Sequence, residues 1–542
     1  MIPTPLASSR SADAHTVGGA DAGVRASEAG VRWAKVIDQT RCIGCHACTT
    51  ACKSENEVPL SVTRTYVKYV DVGFFPQARR AFQVTRCNMC EYAPCVTACP
   101  TGAMFRRPDG IVDFDKSICI GCKACIAACP YDAIFINPED HSAEKCNFCA
   151  HRLDIGLEPA CVVVCPTEAI LVGDLNDPLT RVAQIVQRDA VAVRRPEKET
   201  HPKLFYRGAH QATLDPLAAR RPGGGLFMWS EQGTLPNQVT SGHPGSWNSS
   251  AAALLSYDIP HRMPWDWRVS LYTWTKSIAA GVYLAALLVV LVRGMPANDL
   301  LWRGIAPVIA LVMLAATGVI LILDLEHPLR FYMIFTRPQW RSWLVRGAFV
   351  IAAYALVLLA HLVLEFVSRP GMATTLAWFG VPAAVMTAAY TGYLFAQAKA
   401  RDLWQSPLSP PHLVVQALLA GAAVLLLPLM LLPRVRDVVA GGALALLLLC
   451  ACGAHLLLVL AEHTLTPVTA HARLAAREMT RGRYAAWFWT SAVLITAGAT
   501  APLWIAVSDG FAGAAFAAVM ALLGLYAYEH AYVQAGQSVP LA

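Results

Sequence analysis

Residues 42–52 read C-I-G-C-H-A-C-T-T-A-C, and residues 87–100 read C-N-M-C-E-Y-A-P-C-V-T-A-C-P. Residues 119–130 read C-I-G-C-K-A-C-I-A-A-C-P, and residues 146–166 read C-N-F-C-A-H-R-L-D-I-G-L-E-P-A-C-V-V-V-C-P. All but two of the 18 cysteines lie in these runs, four to a run. Three thiolates spaced two residues apart wrap one corner of a cubane iron–sulfur cluster. The fourth cysteine of such a run, followed by Pro, ligates the other cluster of a pair. The candidate metal ligands are therefore Cys42, Cys45, Cys48, Cys52, Cys87, Cys90, Cys95, Cys99, Cys119, Cys122, Cys125, Cys129, Cys146, Cys149, Cys161 and Cys165. They suffice for four [4Fe–4S] clusters, with none missing and none spare.

Two other readings compete. Disulfides would have to pair cysteines crowded into an eleven-residue run. Structural zinc sites usually combine well-separated C-x2-C pairs. Four consecutive ferredoxin-type runs, three closed by Cys-Pro, favour iron–sulfur clusters over both.

The composition is lopsided. The chain has 542 residues, 55% hydrophobic and 15% charged, with positive mean hydropathy. Nearly all the cysteine precedes residue 170, and the long apolar runs follow residue 268. A net charge of +7 suits a membrane protein with basic loops. No Lys/Arg cluster alternates with aromatics as a nucleic-acid binder's would. No G-x-G-x-x-G or Walker loop marks a nucleotide or NAD site.

In chain order, residues 1–32 are rich in Ala, Gly and Ser and are expected to be a disordered arm. They show no signal-peptide core and no twin-Arg pair. Residues 33–175 should fold as an α+β double ferredoxin-like domain. Each of its clusters would take three cysteines from one run and one from another. Several close clusters without a substrate-pocket motif make a wire rather than a reaction centre, so no catalytic residue is assigned. Lys123, Lys145 and Arg86 stand beside ligands, placed either to raise cluster potentials or as ordinary surface charges. Residues 176–268, which include Arg220-Arg221-Pro222-Gly223-Gly224-Gly225, are expected to form an extended arm and linker.

Residues 269–542 should form an all-α bundle of eight spans, each near the about 20 residues that cross a bilayer. They run near 269–292, 304–325, 347–367, 375–398, 411–433, 439–461, 485–506 and 510–530. Trp265, Trp267, Trp340, Trp343, Trp487 and Trp489 flank helix ends, as interfacial aromatics do. Loops on the cluster side carry Arg330, Arg337, Arg341, Arg346, Lys399, Arg401, Arg473, Arg477, Arg481 and Arg483, with Arg262 and Arg268 adding to them. Opposite loops carry only Arg293, Arg303, Arg369, Arg434 and Arg436. The positive-inside bias places the cluster side in the cytoplasm and the chain in the cytoplasmic (inner) membrane. Glu326-His327 recurs as Glu462-His463, Arg346-Gly347 as Arg481-Gly482, and Tyr390 as Tyr526, which suggests two four-helix halves.

Lys276, Asp324, Glu326, His327, His412, Glu462, His463, Glu529 and His530 fall toward the cluster side. His361 and Glu365 fall toward the other, with His455 nearer the middle. Titratable groups in a membrane are costly and often functional, though helix-end residues also snorkel. Lys276, Asp324, Glu326, His327, Glu462 and His463 are the candidates for quinone binding and proton transfer, since quinone chemistry needs acids and bases beside the electron supply. Cys450 and Cys452 read as packing residues.

The four runs resemble the electron-transfer subunit of complex iron–sulfur molybdoenzymes, the group of polysulfide, dimethyl sulfoxide and tetrathionate reductases. The resemblance covers residues 33 to about 210. The resemblance pairs the first run with the fourth and the second with the third. It implies cages of Cys42, Cys45, Cys48 and Cys165; Cys146, Cys149, Cys161 and Cys52; Cys87, Cys90, Cys95 and Cys129; and Cys119, Cys122, Cys125 and Cys99. The membrane half resembles the NrfD/PsrC quinone-interacting anchors in L-D-L-E-H-P-L-R-F-Y (323–332), R-P-Q-W-R-S-W-L-V-R-G-A (337–348) and E-H-A-Y-V-Q-A-G-Q-S-V-P-L (529–541). In that family the two parts are usually separate chains; here they are fused. The resemblance implies a molybdopterin-containing catalytic partner and electron relay to or from membrane quinone. Many relatives face the periplasm; the charge bias here is more like that of cytoplasm-facing members such as sulfite dehydrogenases. The alternative is a redox-driven proton-translocating subunit, which requires a polar path through both leaflets.

Overall fold

A computed structural model describes residues 30–73, 76–220, 253–293, 300–367, 370–431, 438–464, 469–508 and 511–542. The expected arm at 1–32 lies almost wholly outside these residues, as do residues 221–252 of the expected linker. The first part of the chain carries eleven short strands. They are β1 (Trp33–Asp38), β2 (Thr65–Val72), β3 (Arg79–Arg86), β4 (Met104–Arg106), β5 (Val112–Phe114), β6 (Ile134–Ile136), β7 (Ala143–Lys145), β8 (Ile170–Asp174), β9 (Val191–Ala192), β10 (Leu204–Arg207) and β11 (Ala253–Tyr257).

β1 has five consecutive buried residues, so both faces of its sheet are covered. Val36 packs with Val182 of helix Arg181–Arg188, while Ile37 meets Cys48, Cys161 and Leu204. The sheet order is β8-β1-β10-β9, with β10 parallel to β1. Residues 176–220 therefore belong to the cysteine-bearing domain, and the expected edge at residue 175 falls inside this sheet. β9 and β10 are two and four residues long, too short to show periodicity in the sequence.

β2 and β3 pair along their whole length, and β11 adds to the other edge of β2. Two hairpins, β4–β5 and β6–β7, frame the third cysteine run. From β11 the chain reaches the first membrane helix, Trp267–Arg293, through a connection that holds His261. His261 is 4% exposed. Its Nδ1 bonds Asp132 of the cysteine domain, and its Nε2 lies 3.1 Å from Asp258.

Eight helices are long and apolar enough to cross a membrane, and their order matches the expected spans. The first (Trp267–Arg293) and fifth (Ser409–Leu431) share the most extensive helix–helix contact. A Cβ on Gly281 would lie 1.6 Å from the Ala417 carbonyl oxygen, so only glycine fits that crossing. The last helix, Phe511–Gln537, runs past the expected end at 530. Its final turns are covered by protein rather than lipid: Ala531, Ala535 and Gln537 are fully buried.

His261 provides a test of this junction. Burial opposes its charge, but the Asp258 and Asp132 carboxylates outweigh that and raise its pKa from 6.5 to about 10. A folded pKa above the unfolded one stabilises fully below pH 6.5, and the contribution is lost as pH rises through about 10. The thermal midpoint of the detergent-solubilised chain should fall across that window. In His261→Gln the midpoint should be lower at neutral pH and this segment of its pH dependence flattened.

Candidate functional site: thiol cages and a membrane cavity

The third residue of the first C-x-x-C in each run has a left-handed backbone: Gly44 (φ 70°), Met89 (φ 47°), Gly121 (φ 68°) and Phe148 (φ 67°). That reversal folds each loop back so its thiols converge. The strain is roughly 1–2 kcal/mol for an L-residue, and Met89 and Phe148 bear it. Gly44 and Gly121 face a second constraint. A Cβ on Gly44 would lie 2.4 Å from the Phe82 ring, and one on Gly121 would lie 2.4 Å from Glu326 Cβ.

Cys42, Cys45, Cys48 and Cys165 line one cavity. Cys87, Cys90, Cys95 and Cys129 line a second. Cys99, Cys119, Cys122 and Cys125 line a third. Cys52 has the thiols of Cys146, Cys161 and Cys149 and the Arg86 guanidinium as its electrostatic neighbours. Among the described residues no three His, Cys, Asp or Glu groups converge as a single metal ion would need. A cubane cluster fits these wider cages, because its four corners hold thiolates farther apart than one tetrahedral ion does. Backbone N–H groups point at the sulfurs: Ala169 to Cys165 at 3.2 Å, Met104 to Cys99 and Ala143 to Cys119 at 3.4 Å. These donors suit anionic sulfur.

Charge differs sharply between the thiols. Burial pushes Cys48 up to about 11 and Cys52 up to about 12. Burial would raise Cys161 too, but the Arg86 and Lys35 charges outweigh it and bring it down to about 7. Arg86, Lys145 and Lys35 are 2%, 0% and 1% exposed, so none is a surface charge. Lys145 Nζ donates to the carbonyls of Val112 and Cys146. Lys123 instead pairs with Glu326 at 3.0 Å and Asp324 at 3.9 Å.

The third cage abuts the membrane half. Trp265 Nε1 donates to the Cys122 carbonyl at 3.3 Å, and Arg330 donates to the Lys116 and Cys119 carbonyls at 2.9 Å. Ser342 Oγ donates to the Ala98 carbonyl at 2.9 Å. Glu326 N and His327 N reach the carbonyls of Gly121 and Ile120, and His327 Nε2 meets Ser142 Oγ at 3.1 Å. Asp324, Glu326 and His327 thus stand in the contact between the two halves. Burial pushes Asp324 up to about 6, against the pull of Lys123.

Behind this contact lies an aromatic layer in which Ala127 packs with Trp265, Phe395, Trp404 and Val533. Phe395 and Val533 also line a cavity between the first, fifth and last helices, with Thr273, Ser409, His412, Gln416, Tyr528, Glu529 and Tyr532. Thr273 Oγ1 donates to Glu529 at 2.5 Å, and Glu529 Oε1 is buried without a hydrogen-bond partner. His412 Nε2 lies 2.9 Å from His455 Nδ1, and its Nδ1 is 3.8 Å from Glu462. Lys276 is fully buried, donates to the Ala388 carbonyl and to Thr391 Oγ1, and has Glu529 as its charged neighbour. His463 packs edge-on against Phe488, away from this lining. The reading by charge alone passed over Thr273, Ser409, Gln416 and Tyr528. The signal was present: Ser409, His412 and Gln416 recur at i, i+3 and i+7, one face of an otherwise apolar helix.

On the opposite side, His361 Nδ1 and the Tyr283 hydroxyl are 3.4 Å apart, and Arg303 binds Glu365 at 2.6 Å.

The family description "Polysulphide reductase, NrfD" matches residues 257–540. A 4Fe-4S dicluster domain matches residues 78–175, and a 4Fe-4S binding domain matches residues 33–54. The sequence is 45% identical over 197 residues to the B component of the tetrathionate reductase of Salmonella typhimurium, covering 35% of this chain and 77% of that protein. It is 41% identical over 177 residues to the B component of the polysulfide reductase of Wolinella succinogenes, covering 32% of this chain and 93% of that protein. With the thiosulfate reductase electron transfer subunit PhsB of Salmonella typhi the identity is 50% over 143 residues, 26% of this chain and 74% of that protein.

The contact between the halves is testable at Gly121. Gly121→Ala should destabilise by more than the roughly 1–2 kcal/mol of a left-handed alanine, because Glu326 must also move. Met89→Ala keeps the left-handed backbone and removes a side chain 1% exposed in the core, so in the same denaturant titration it should report lost packing, about 2–5 kcal/mol.

Proposed function

Because this protein belongs to the polysulphide reductase NrfD family over its membrane half and carries 4Fe-4S domains before it, we propose that it is a fused electron-transfer and anchor subunit. It relays electrons between membrane quinone and a separate catalytic subunit holding a molybdopterin cofactor. The sixteen run cysteines hold four [4Fe–4S] clusters in the four cages. When bound, these clusters carry one electron at a time. The observation that carries the reading is the seating of the Cys99–Cys119–Cys122–Cys125 cage against the aromatic layer that closes the His412–Glu529 cavity.

We place the quinone ring in that cavity. Glu529 and His412 face it and serve as proton groups, with His455, Glu462 and Lys276 as their buried partners. Asp324, Glu326 and His327 hold the halves together instead. Thr273, Lys276 and Gly281 stand at the same sequence interval from Ser409, His412 and Ala417 as Glu326 does from Glu462. Gly281 touches its own counterpart Ala417 at the central crossing, as residues beside a two-fold axis do. This supports two four-helix halves repeated in parallel.

We place the cysteine domain in the cytoplasm. Arg330 and Arg401 spend donors on carbonyls in the contact with it or at the chain's end, so they are weak topology signals. Arg337, Arg341, Arg346, Lys399, Arg473, Arg477, Arg481 and Arg483 still outnumber the opposite set.

Reconstituted protein should contain about 16 iron atoms per chain. Glu529→Gln and His412→Ala should abolish quinol-dependent cluster reduction while dye-dependent reduction persists. Retention of quinol-dependent reduction in both would move the quinone elsewhere. A tag at the amino end should be cleaved by protease in inside-out vesicles only; cleavage in right-side-out vesicles reverses the orientation.

A further inference from the structure

Cys161 stands apart from the other cage sulfurs. Arg86 Nη1 donates to its Sγ at 2.9 Å, and Lys35 Nζ lies 3.8 Å from the same atom. Among the described residues it is the only cage sulfur that accepts from a charged side chain. Neither cation pairs with a carboxylate among these residues. Arg86 Nε and Nη2 are buried without partners, and Lys35 has only the Phe148 face beneath it, 4.0 Å from the ring centre. An unpaired buried cation is strongly unfavourable, and two beside one atom are more so. The compensating charge has to come from what the cage holds. Four thiolates leave a bound cluster with net negative charge, and reduction adds to it.

The other cages lack this arrangement. Arg86 also faces Cys48 of the cage of Cys42, Cys45, Cys48 and Cys165 but donates its bond to Cys161, and that cage is open to water at Cys45, which screens charge. At the cage of Cys99, Cys119, Cys122 and Cys125, Lys123 is neutralised by Glu326 and Asp324. Beside Cys87 and Cys95, Lys145 gives its bonds to carbonyls rather than to sulfur. Cluster potentials rise with hydrogen bonds to sulfur and with nearby positive charge. Loss of water by itself disfavours the more negative reduced form, so in a buried cage it is the unscreened cations that raise the potential.

We propose that Arg86 and Lys35 make the cluster of Cys52, Cys146, Cys149 and Cys161 the highest-potential station of the relay, where an electron comes to rest between transfers. One electron is gained there and lost by a neighbouring cluster; no bond forms or breaks. Arg86 and Lys35 are positioning residues, acting through the Cys161 sulfur. This rests on the four-cluster reading above.

The test is a potentiometric titration followed by EPR on the full-length, iron-reconstituted chain in detergent. Cys161→Ser marks which signal belongs to this cage, by its loss or its changed spectrum. In wild-type protein the marked signal should be the first to appear as the potential is lowered. In Arg86→Met its reduction should become at least tenfold less favourable, a fall of about 59 mV for a one-electron couple. Lys35→Met and Arg86→Lys should give smaller falls in the same direction, with the remaining signals moving less. Should Arg86→Met fail to hold its iron, the other two variants decide. The proposal is overturned if the marked signal is not the highest in wild-type protein. It is equally overturned if that signal keeps its potential in the iron-replete variants, or if another cage's signal moves most. A preparation with no cubane signals at all would sink the four-cluster reading instead.

Discussion

The membrane half holds the third cage by the backbone carbonyls around it. A loop that curls its thiols inward turns its carbonyls outward, and buried carbonyls need donors. Here the donors come from the other half of the chain: Trp265 to Cys122, Arg330 to Lys116 and Cys119, Ser342 to Ala98. Shaping the cage and docking the halves are therefore one event. The same contact fixes Gly121, since the loop passes so close to Glu326 that no side chain fits between them. It also sets the span between cage and membrane cavity to a single layer of Trp265, Phe395 and Trp404.

Charge is handled differently at the two ends of the domain. Near the membrane, Lys123 is matched by Glu326 and Asp324, so the contact is close to neutral. In the interior, Arg86, Lys35 and Lys145 are buried without acids among the described residues, the first two bonded to the Cys161 sulfur and Lys145 to carbonyls. Other buried charge in the domain is paired with an acid, as where Arg64 meets Glu144 at 2.6 Å with Lys116 on the same carboxylate at 2.8 Å, or given to a carbonyl, as Arg194 is. Arg86 and Lys35 differ from these in giving their charge to a sulfur. They belong to the thiol chemistry rather than to general stabilisation of the fold.

The far end of the chain closes the assembly. Arg194 donates to the Leu541 carbonyl at 2.9 Å, and Arg401 holds the carbonyls of Gln537 and Val539. Gln537 in turn binds the backbone of Trp265, the residue that touches the third cage. This explains why the last helix outruns its apolar stretch. Its final turns are buried by protein, where hydropathy no longer reports the burial.

Local spacing determined much of this protein without any fold. Thiols two residues apart can meet on one loop, and twenty apolar residues need lipid whatever their neighbours; both facts live within a few turns of chain. The eight spans and the cysteine-rich domain were legible for that reason. What tertiary structure alone decided was where distant segments meet. β10 enters the central sheet from beyond residue 200, Lys35 reaches Cys161 across the domain, and the 324–327 segment becomes a dock beside the third cage. Glu326 and His327 carry the same chemistry at a domain contact as in a cavity. Titratable side chains announce that they can take or give a proton, but the groups facing them, brought by other segments, settle what they do.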